Sequence, residues 1–338
     1  MIFLPRQVVI EEKALDYDLG KKLYQDFQEL QIPLRILATG KRVSLDTGKS
    51  DKETYFMAKR TLVVGVRNNL SFQSCKPSAH YQLPLTSSCP GGCEYCYLMT
   101  NLGKRPYYKV YVNLEDILNR IQDYLEKRRP EVMLFEGSAT SDPIPVERYT
   151  GALARCINFF GNQELALFRF VTKFTDVDSL LQIQHHGRTT FRFTLNTSEI
   201  ISRYEHGTPS LGERLKAATK VARAGYPLGF IIGPVILYPG WETDYPDLLA
   251  QIAFQLTPEV IPSFEIITHR FTSRAKKRIL EVFPETTLPL NEEERKYKYG
   301  QFGYGKYVYP PEVWSEVKKV FQKSLQQYFP EAPMVYFV

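Results

Sequence analysis

The chain has 338 residues, of which 43% are hydrophobic and 24% charged, so it can bury a large core and does not have the composition of a disordered protein. Its 43 Lys and Arg residues against 37 Asp and Glu residues give a net charge of +6, which permits a polyanionic partner without requiring one. The longest apolar stretch, 226–240, is interrupted by Pro and Gly and is too short to span a membrane, and the first residues do not have the pattern of a signal peptide.

Residues 1–78 precede the regular part of the pattern, and we expect them to form an N-terminal α/β extension packed on the rest. From residue 79 onward, apolar runs alternate with segments of helical periodicity. The predicted strands are 79–85, 131–137, 167–173, 189–196, 228–237 and 262–271. The predicted helices are 114–125 with Asn113 as its N-cap, 147–160, 176–184, 211–224 and 245–256.

This alternation predicts an α/β fold with a parallel sheet, because each crossover helix returns the chain to the same edge of the sheet. Six strand–helix units over residues 79–271 would make three quarters of an eight-unit barrel, so we expect a partial (β/α)6 TIM-like barrel. In such barrels the functional groups lie at the C-terminal ends of the strands. Residues 272–338 should add a β-hairpin and a closing helix near 311–328.

Three of the five cysteines lie within eight positions, in the sequence CPGGCEYC. An odd number of cysteines in this arrangement favours a reducing compartment and a metal or redox role over a disulfide framework. Cys89, Cys93 and Cys96 can bind three corners of a cubane iron–sulfur cluster and leave one iron open to another ligand. A structural zinc site with Cys75 as the fourth ligand and a set of unrelated buried thiols remain as alternatives. We expect Cys156, on the apolar face of a predicted helix, to be a core residue.

The spacing CxxxCxxC, followed by Tyr97 and Leu98 and placed after the first strand of a (β/α)6 pattern, resembles the radical S-adenosylmethionine (SAM) superfamily. The resemblance implies a 4Fe-4S cluster whose open iron binds SAM, and cleavage of SAM to a 5′-deoxyadenosyl radical.

Short segments along nearly the whole chain look like the spore photoproduct lyase family. They are TLVVGVR (61–67), KPSA (76–79), CEYCYL (93–98), YVNL (111–114), FRFVTK (168–173), FRFTLN (191–196), HRFT (269–272) and KYKYG..GYGKYVY (296–309). This resemblance implies a DNA repair lyase that returns 5-thyminyl-5,6-dihydrothymine to two thymines. Hydrogen abstraction, β-scission of the methylene bridge and return of a hydrogen atom from a thiol are the implied steps.

The family's catalytic residues transfer only in part. Its tyrosine pair maps onto Tyr95 and Tyr97. Its usual sequence after the second strand is FEAxCTSD, whereas this chain has Ala139 at the position of the donor cysteine. Cys75, before the first barrel strand, is the candidate replacement donor, and we expect it near the mouth of the cluster. The sequence does not show whether Ala139 is natural, and the alternative for Cys75 is a buried core thiol.

The family's SAM contacts map onto residues at the ends of predicted strands, where barrel enzymes bind ligands. Lys173 can pair with the methionine carboxylate, and hydroxyl or amide side chains can hydrogen-bond the carboxylate or ribose. Gly233 would let adenine approach the backbone closely. The predicted cofactor-binding residues are Ser141, Lys173, Thr194, Asn196 and Gly233.

The segment 295–310 combines four cations, six aromatic residues and three glycines, which predicts a hairpin with a glycine-rich tip. Its cations can neutralise phosphates while an aromatic tip fills the gap left by an everted lesion. Where relatives have Arg-Tyr at the tip, this chain has Gln301 and Phe302. The predicted nucleic-acid contacts are Lys298, Tyr299, Gln301, Phe302, Tyr304 and Lys306.

We therefore expect a monomeric enzyme in the cytoplasm of a germinating spore that repairs a thymine-dimer lesion in DNA and takes electrons from an external one-electron reductant. Two alternatives remain at this point. One is a related radical enzyme with another nucleic-acid or peptide substrate, and the other is a non-catalytic DNA-binding protein that contains a metal.

Overall fold

The computed structural model describes residues 2–44, 50–300, 303 and 305–338. The chain forms two compact units, one of Met1–Gly91 with Leu102–Phe191 and one of Gly92–Asn101 with Arg192–Val338. The three predicted segments, 1–78, 79–271 and 272–338, do not coincide with these units, and that division stays a prediction. None of the helices in the described ranges is long and apolar enough to cross a membrane.

The strands, in chain order, are β1 (Gln7–Glu11), β2 (Leu34–Leu37), β3 (Thr61–Gly65), β4 (Tyr81–Leu83), β5 (Thr86–Ser87), β6 (Gly92–Cys93), β7 (Tyr108–Tyr111), β8 (Met133–Gly137), β9 (Ala166–Thr172), β10 (Thr189–Leu195), β11 (Glu205–His206), β12 (Leu228–Val235), β13 (Ser263–Thr268), β14 (Lys296–Tyr299), β15 (Gly305–Val308) and β16 (Met334–Phe337). The helices are α1 (Asp18–Glu29), α2 (Asp51–Lys59), α3 (Leu98–Asn101), α4 (Leu114–Arg128), α5 (Ile144–Thr150), α6 (Ala152–Gly161), α7 (Ser198–Tyr204), α8 (Leu211–Arg223), α9 (Trp241–Gln255), α10 (Ser273–Val282) and α11 (Pro311–Tyr328).

The first unit contains a five-stranded sheet in the order β2-β1-β3-β7-β5, parallel except for the β5–β7 pair. Its apolar side chains pack on α1, where Leu23 and Phe27 are fully buried. The predicted N-terminal extension is thus an α/β layer, but its sheet takes β5 and β7 from beyond residue 78. Both strands are short, which is why the sequence pattern did not reveal them.

The first unit also contains parallel strands β4, β8 and β9, which pair in that order. Helix α6 covers them with an aromatic core in which the rings of Phe160 and Phe168 stack 4.9 Å apart. In the second unit β12 pairs in parallel with β13, and β13 with β16. All six predicted barrel strands are present, and the predicted α/β class is confirmed. Strand β16 was not predicted.

Two predicted helices differ from the structure. The segment 147–160 is not one helix, because Gly151 adopts a left-handed conformation (φ 60°) that ends α5, and α6 begins at the next residue. The Glu147 carboxylate accepts hydrogen bonds from the backbone N–H groups of Leu153 and Ala154 at the start of α6. The predicted helix 176–184 is reduced to a 3-10 turn at Asp178–Leu180.

The third difference concerns the start of α4. The side chain of Asn113 does not cap this helix. Its Oδ1 accepts a hydrogen bond from the backbone N–H of Arg67 at 2.8 Å, and its Nδ2 donates to the Arg67 carbonyl. Asn113 therefore fixes the segment that follows β3.

Candidate active site

In the first unit, Cys89 lies in the loop after β5, beside a buried cation. The ammonium of Lys59, at the end of α2, donates a hydrogen bond of 2.9 Å to the carbonyl oxygen of Cys89. Lys59 is fully buried and its ammonium lies 5.4 Å from the ring centre of Tyr55. Lys59 thus holds the first cysteine of the triplet in place. The sequence did not reveal this, because a lysine at the end of a helix is ordinarily solvated.

The loop after β8 carries Ala139 and Ser141. Ser138, in a left-handed conformation, accepts a hydrogen bond from the backbone N–H of Thr86 at 2.8 Å. The hydroxyl of Ser141 donates to the carbonyl of Ser88 and accepts from the Thr86 hydroxyl. Ser141 therefore ties its loop to the segment that leads to Cys89, and these bonds already engage the side chain that the sequence assigned to the cofactor.

Asp142 and Lys173 meet at the C-terminal end of β9. The buried carboxylate of Asp142 accepts hydrogen bonds from the backbone N–H of Lys173 and from the Thr172 hydroxyl, both at 2.8 Å. Burial raises the pKa of Asp142 to about 6, although these hydrogen bonds and the charge of Lys173 oppose the shift. Lys173 is thus held at the strand end where the sequence predicted it, beside a carboxyl group that sequence reasoning had given no role.

Cys75 lies in the turn that precedes β4. It forms an antiparallel bridge with Ala79, and its thiol lies 3.7 Å from the Ala79 carbonyl oxygen. Ser78, in the same turn, donates a hydrogen bond to Glu136 of β8 and accepts one from Arg169 of β9 at 2.7 Å. The turn that precedes β4 is therefore bonded to side chains of β8 and β9, and Glu136 lies three residues before Ala139. The predicted place of Cys75, near the mouth of the cluster, stays a prediction.

In the second unit, the loop with Cys93 and Cys96 is pinned by an antiparallel pair. Cys93 lies opposite Glu205 in the β6–β11 ladder, and the backbone N–H of Cys96 donates to the Cys93 carbonyl at 3.2 Å. Between the two cysteines, Glu94 accepts a hydrogen bond from Thr286, and its Oε1 lies 2.7 Å from Nε2 of His206. These contacts fix the loop backbone without using a thiol.

Tyr95 belongs to a buried network that the sequence did not reveal. Its hydroxyl donates to the carboxylate of Glu205, which forms a 2.5 Å ion pair with Arg214. Arg214 in turn donates to the carbonyl of Thr194 at 3.1 Å. Burial and the negative charge of Glu205 raise the pKa of Tyr95 well above its ordinary value, so the phenol stays protonated. Tyr97, two residues along, is 51% exposed.

The other predicted SAM contacts of the second unit have structural partners. Asn196 donates from Nδ2 to the Pro234 carbonyl at 2.8 Å, and its Oδ1 accepts from the Tyr245 hydroxyl at 3.1 Å. A Cβ at Gly233 would lie 3.0 Å from the Cβ of Ile267, so this glycine allows β12 and β13 to pack closely. Asn196 and Gly233 thus have structural roles at this end of the sheet, and their contact with SAM stays a prediction.

The predicted hairpin is present as the antiparallel pair β14–β15, with Lys298 opposite Lys306. Lys298 and Tyr299 are exposed, and the Tyr299 hydroxyl donates to the Gly303 carbonyl at 3.0 Å. Lys306 is partly buried, and burial together with the charge of Arg270 lowers its pKa. The predicted contacts Gln301, Phe302 and Tyr304 lie outside the described residues.

Arg295, one of the four cations of the predicted hairpin segment, lies at the base of the hairpin and contacts other parts of the second unit. It donates to the His269 carbonyl at 2.9 Å, and its guanidinium lies 3.8 Å from the ring centre of Tyr309. Arg295 thus anchors the hairpin to the second unit.

The cysteine triplet has the donor chemistry of an iron–sulfur site. None of the five cysteines forms a disulfide bond. Among the residues that the structure describes, no three His, Cys, Asp or Glu side chains are gathered as ligands of a single metal ion. A cubane cluster does not require such a group, because each thiolate binds a different iron. Thiol side chains outside disulfide bonds have the donor chemistry of a 4Fe-4S cluster, and the ligand set Cys89, Cys93 and Cys96 stays a prediction.

Comparison with known proteins identifies the family. A family model described as spore photoproduct lyase matches residues 3–338. The spore photoproduct lyase of Clostridium acetobutylicum is 49% identical over 333 residues, which cover 98% of each chain. That of Bacillus subtilis is 42% identical over 337 residues, 99% of this chain and 98% of its own. The chain belongs to the spore photoproduct lyase family. The expected family is confirmed.

Solved structures of the family agree over the whole length. A double mutant of spore photoproduct lyase with bound AdoMet and dinucleoside spore photoproduct matches with a TM-score of 0.96 and 44% identity, covering 100% of both chains. A complex of spore photoproduct lyase with dinucleoside spore photoproduct matches with the same TM-score and 43% identity. The partial-barrel fold, the radical SAM lyase activity and the two cofactors, a 4Fe-4S cluster and SAM, are confirmed. The alternative functions are not favoured, and the roles of individual residues stay predictions.

Proposed function

We propose that this chain returns the spore photoproduct in DNA to two thymines and that Cys75 donates the hydrogen atom that completes the repair. The cluster with bound SAM supplies the 5′-deoxyadenosyl radical that starts the reaction. After the methylene bridge breaks, the S–H bond of Cys75 breaks homolytically and its hydrogen forms a C–H bond with the allylic thymine radical. A cysteine thiyl radical is left on the protein.

The observation that carries this proposal is the pair of residue types at positions 75 and 139. The solved double mutant that binds AdoMet and the dinucleoside photoproduct has one cysteine replaced by alanine and one serine replaced by cysteine, 64 residues apart. This chain has Cys75 and Ala139, also 64 residues apart.

Tyr95 is the group we propose to return the radical from Cys75 toward the cofactor, together with Tyr97. A phenol that gives up an electron loses its proton as well, and burial beside Glu205 keeps Tyr95 protonated until then. The O–H group of Tyr95 donates to the Glu205 carboxylate. These contacts support a step in which the electron of Tyr95 reduces the Cys75 thiyl radical to a thiolate and its proton passes to Glu205.

An anaerobic assay of the dinucleotide photoproduct tests the role of Cys75. We expect Cys75→Ala to cleave SAM at the rate of the unchanged enzyme but to replace thymine with trapped side products. Cys156→Ala, which removes a fully buried thiol of α6, is the matched control and should keep the thymine yield. Ala139→Cys in the Cys75→Ala background should restore thymine. A full thymine yield from Cys75→Ala would refute the assignment.

We propose three further properties. The enzyme takes electrons from an external one-electron reductant, since cleavage of SAM begins with one electron that the cluster must first receive. It acts as a monomer in the cytoplasm of a germinating spore, where a reducing environment suits five cysteines outside disulfide bonds. Light scattering of the reconstituted protein tests the monomer, and a stoichiometric titration with a one-electron donor tests the reductant.

A further inference from the structure

A cavity of about 290 Å³ in the first unit lies beside the loop that carries Ala139, and nothing above assigns it a ligand. Ser138 and Thr140, on either side of Ala139, line one part of it, and Gln73 and Gln82 line another. Arg67 and Tyr111 line the part contributed by the N-terminal sheet. We propose that this cavity binds a nucleotide next to the lesion on the same DNA strand, an inference that rests on the proposed function.

The charge and shape of the lining fit a nucleotide. Among the residues that line the cavity, none is acidic and one, Arg67, is a cation. The guanidinium of Arg67 lies 5.7 Å from the ring centre of Tyr111, and the Lys109 ammonium lies 5.4 Å from it, so this group offers cations for a phosphate and planar side chains on which a base can stack. The two hydrogen bonds of Asn113 hold the backbone of Arg67, and Nε of its guanidinium donates to the Asn69 carbonyl at 2.9 Å.

A pair of amides supplies hydrogen-bonding groups. Nε2 of Gln82 donates to Oε1 of Gln73 at 2.9 Å, and the backbone N–H of Gln82 donates to the Gln73 carbonyl. This bond leaves the two N–H groups of the Gln73 amide and the side-chain carbonyl oxygen of Gln82 available. They are a donor and an acceptor of the kind that the edge of a base requires. The cavity can therefore hold a base by its edge as well as by its face.

The size and location favour a neighbouring nucleotide over the lesion itself. The volume is at the lower end of small-ligand cavities, which suits one nucleotide better than two joined thymines. Tyr111 ends β7 and Arg67 follows β3, and both strands belong to a different sheet from β4 and β8. The loop at Ala139 lines the same cavity, so a DNA strand that leaves the reaction centre can continue into the cavity.

The test compares the affinities of two substrates by anaerobic fluorescence anisotropy, a readout that does not depend on turnover. One is the dinucleotide photoproduct, and the other is a single-stranded hexanucleotide with the photoproduct at its centre. We expect the unchanged protein to bind the hexanucleotide more tightly, and Tyr111→Ala to reduce this advantage roughly 5- to 150-fold, the effect of losing one stacked base. Arg67→Ala should reduce it too, whereas Tyr111→Phe should preserve it.

Arg60→Ala is the control for general loss of positive charge, because Arg60 is an exposed cation of the same unit outside this cavity. If Tyr111→Ala and Arg67→Ala keep the full advantage of the hexanucleotide, the proposal is wrong. It is also wrong if they weaken the two substrates equally, since the cavity would then hold the lesion itself. Failure of the unchanged enzyme to repair the dinucleotide would instead refute the proposed function and would leave the affinity comparison interpretable.

Discussion

Replacement of Glu205 by Gln tests the network that holds Tyr95. The side chains of Glu205 and Arg214 are both fully buried and form a 2.5 Å ion pair. In Glu205→Gln the amide oxygen can still accept from Tyr95, but the Arg214 guanidinium stays buried without a counter-charge. Loss of one partner of a buried pair costs about 3–5 kcal/mol, so we expect the free energy of unfolding to fall by about that amount.

Urea unfolding of the protein without its cluster measures this change, because urea does not screen ion pairs. The matched control is Glu199→Gln, which breaks the exposed pair of Glu199 with Arg203 and should cost less than about 1 kcal/mol. The double replacement Glu205→Leu with Arg214→Met should cost less than Glu205→Gln alone, since no uncompensated charge remains. The reasoning fails if Glu205→Gln costs no more than Glu199→Gln.

Three other predictions concern different parts of the chain. Burial raises the pKa of Glu147 from 4.5 to about 7, so the stability that this group contributes is fully present below pH 4.5 and is lost as the pH rises through 7. The free energy of unfolding should therefore fall by roughly 3 kcal/mol over that pH range. Glu147→Gln should abolish this fall, which urea unfolding at several pH values measures. Lys298→Ala should lower the slope of log affinity against log salt for single-stranded DNA by about 0.7, and Lys323→Ala, on the exposed face of α11, should not change it. Cys93→Ala should reduce iron and acid-labile sulfide to background after anaerobic reconstitution, and an unchanged content would contradict the ligand assignment.

The barrel strands could be predicted because each is a local apolar run, and α11 begins and ends where its periodicity does. The pairing of β16 with β13 could not, since it joins segments about 70 residues apart and β16 has only four residues. The break between α5 and α6 was missed because the apolar spacing continues across Gly151. A glycine within a helical pattern disfavours the helix but does not by itself show that the backbone turns left-handed there.

In the candidate site, too, local patterns could be predicted from the sequence and contacts between distant segments could not. The cysteine spacing predicted the cluster ligands because all three lie on one loop. The partners of those residues are distant in sequence: Glu205 is 110 residues from Tyr95, and Lys59 is 30 residues from Cys89. Buried charges of this kind look like ordinary surface residues in a sequence, and only the fold shows that they are enclosed.

The contact between Tyr95 and Glu205 has a consequence for electron transfer. A neutral phenol that loses an electron becomes a very strong acid, and a carboxylate already bonded to its oxygen can take the proton at once. Oxidation of Tyr95 would then move its proton only the length of one hydrogen bond, with Arg214 keeping the acceptor charged until that moment. The ring would then carry no positive charge, and its proton would not be released to water. We therefore expect the rates at which the tyrosyl radical forms and is reduced to depend little on the pH of the medium.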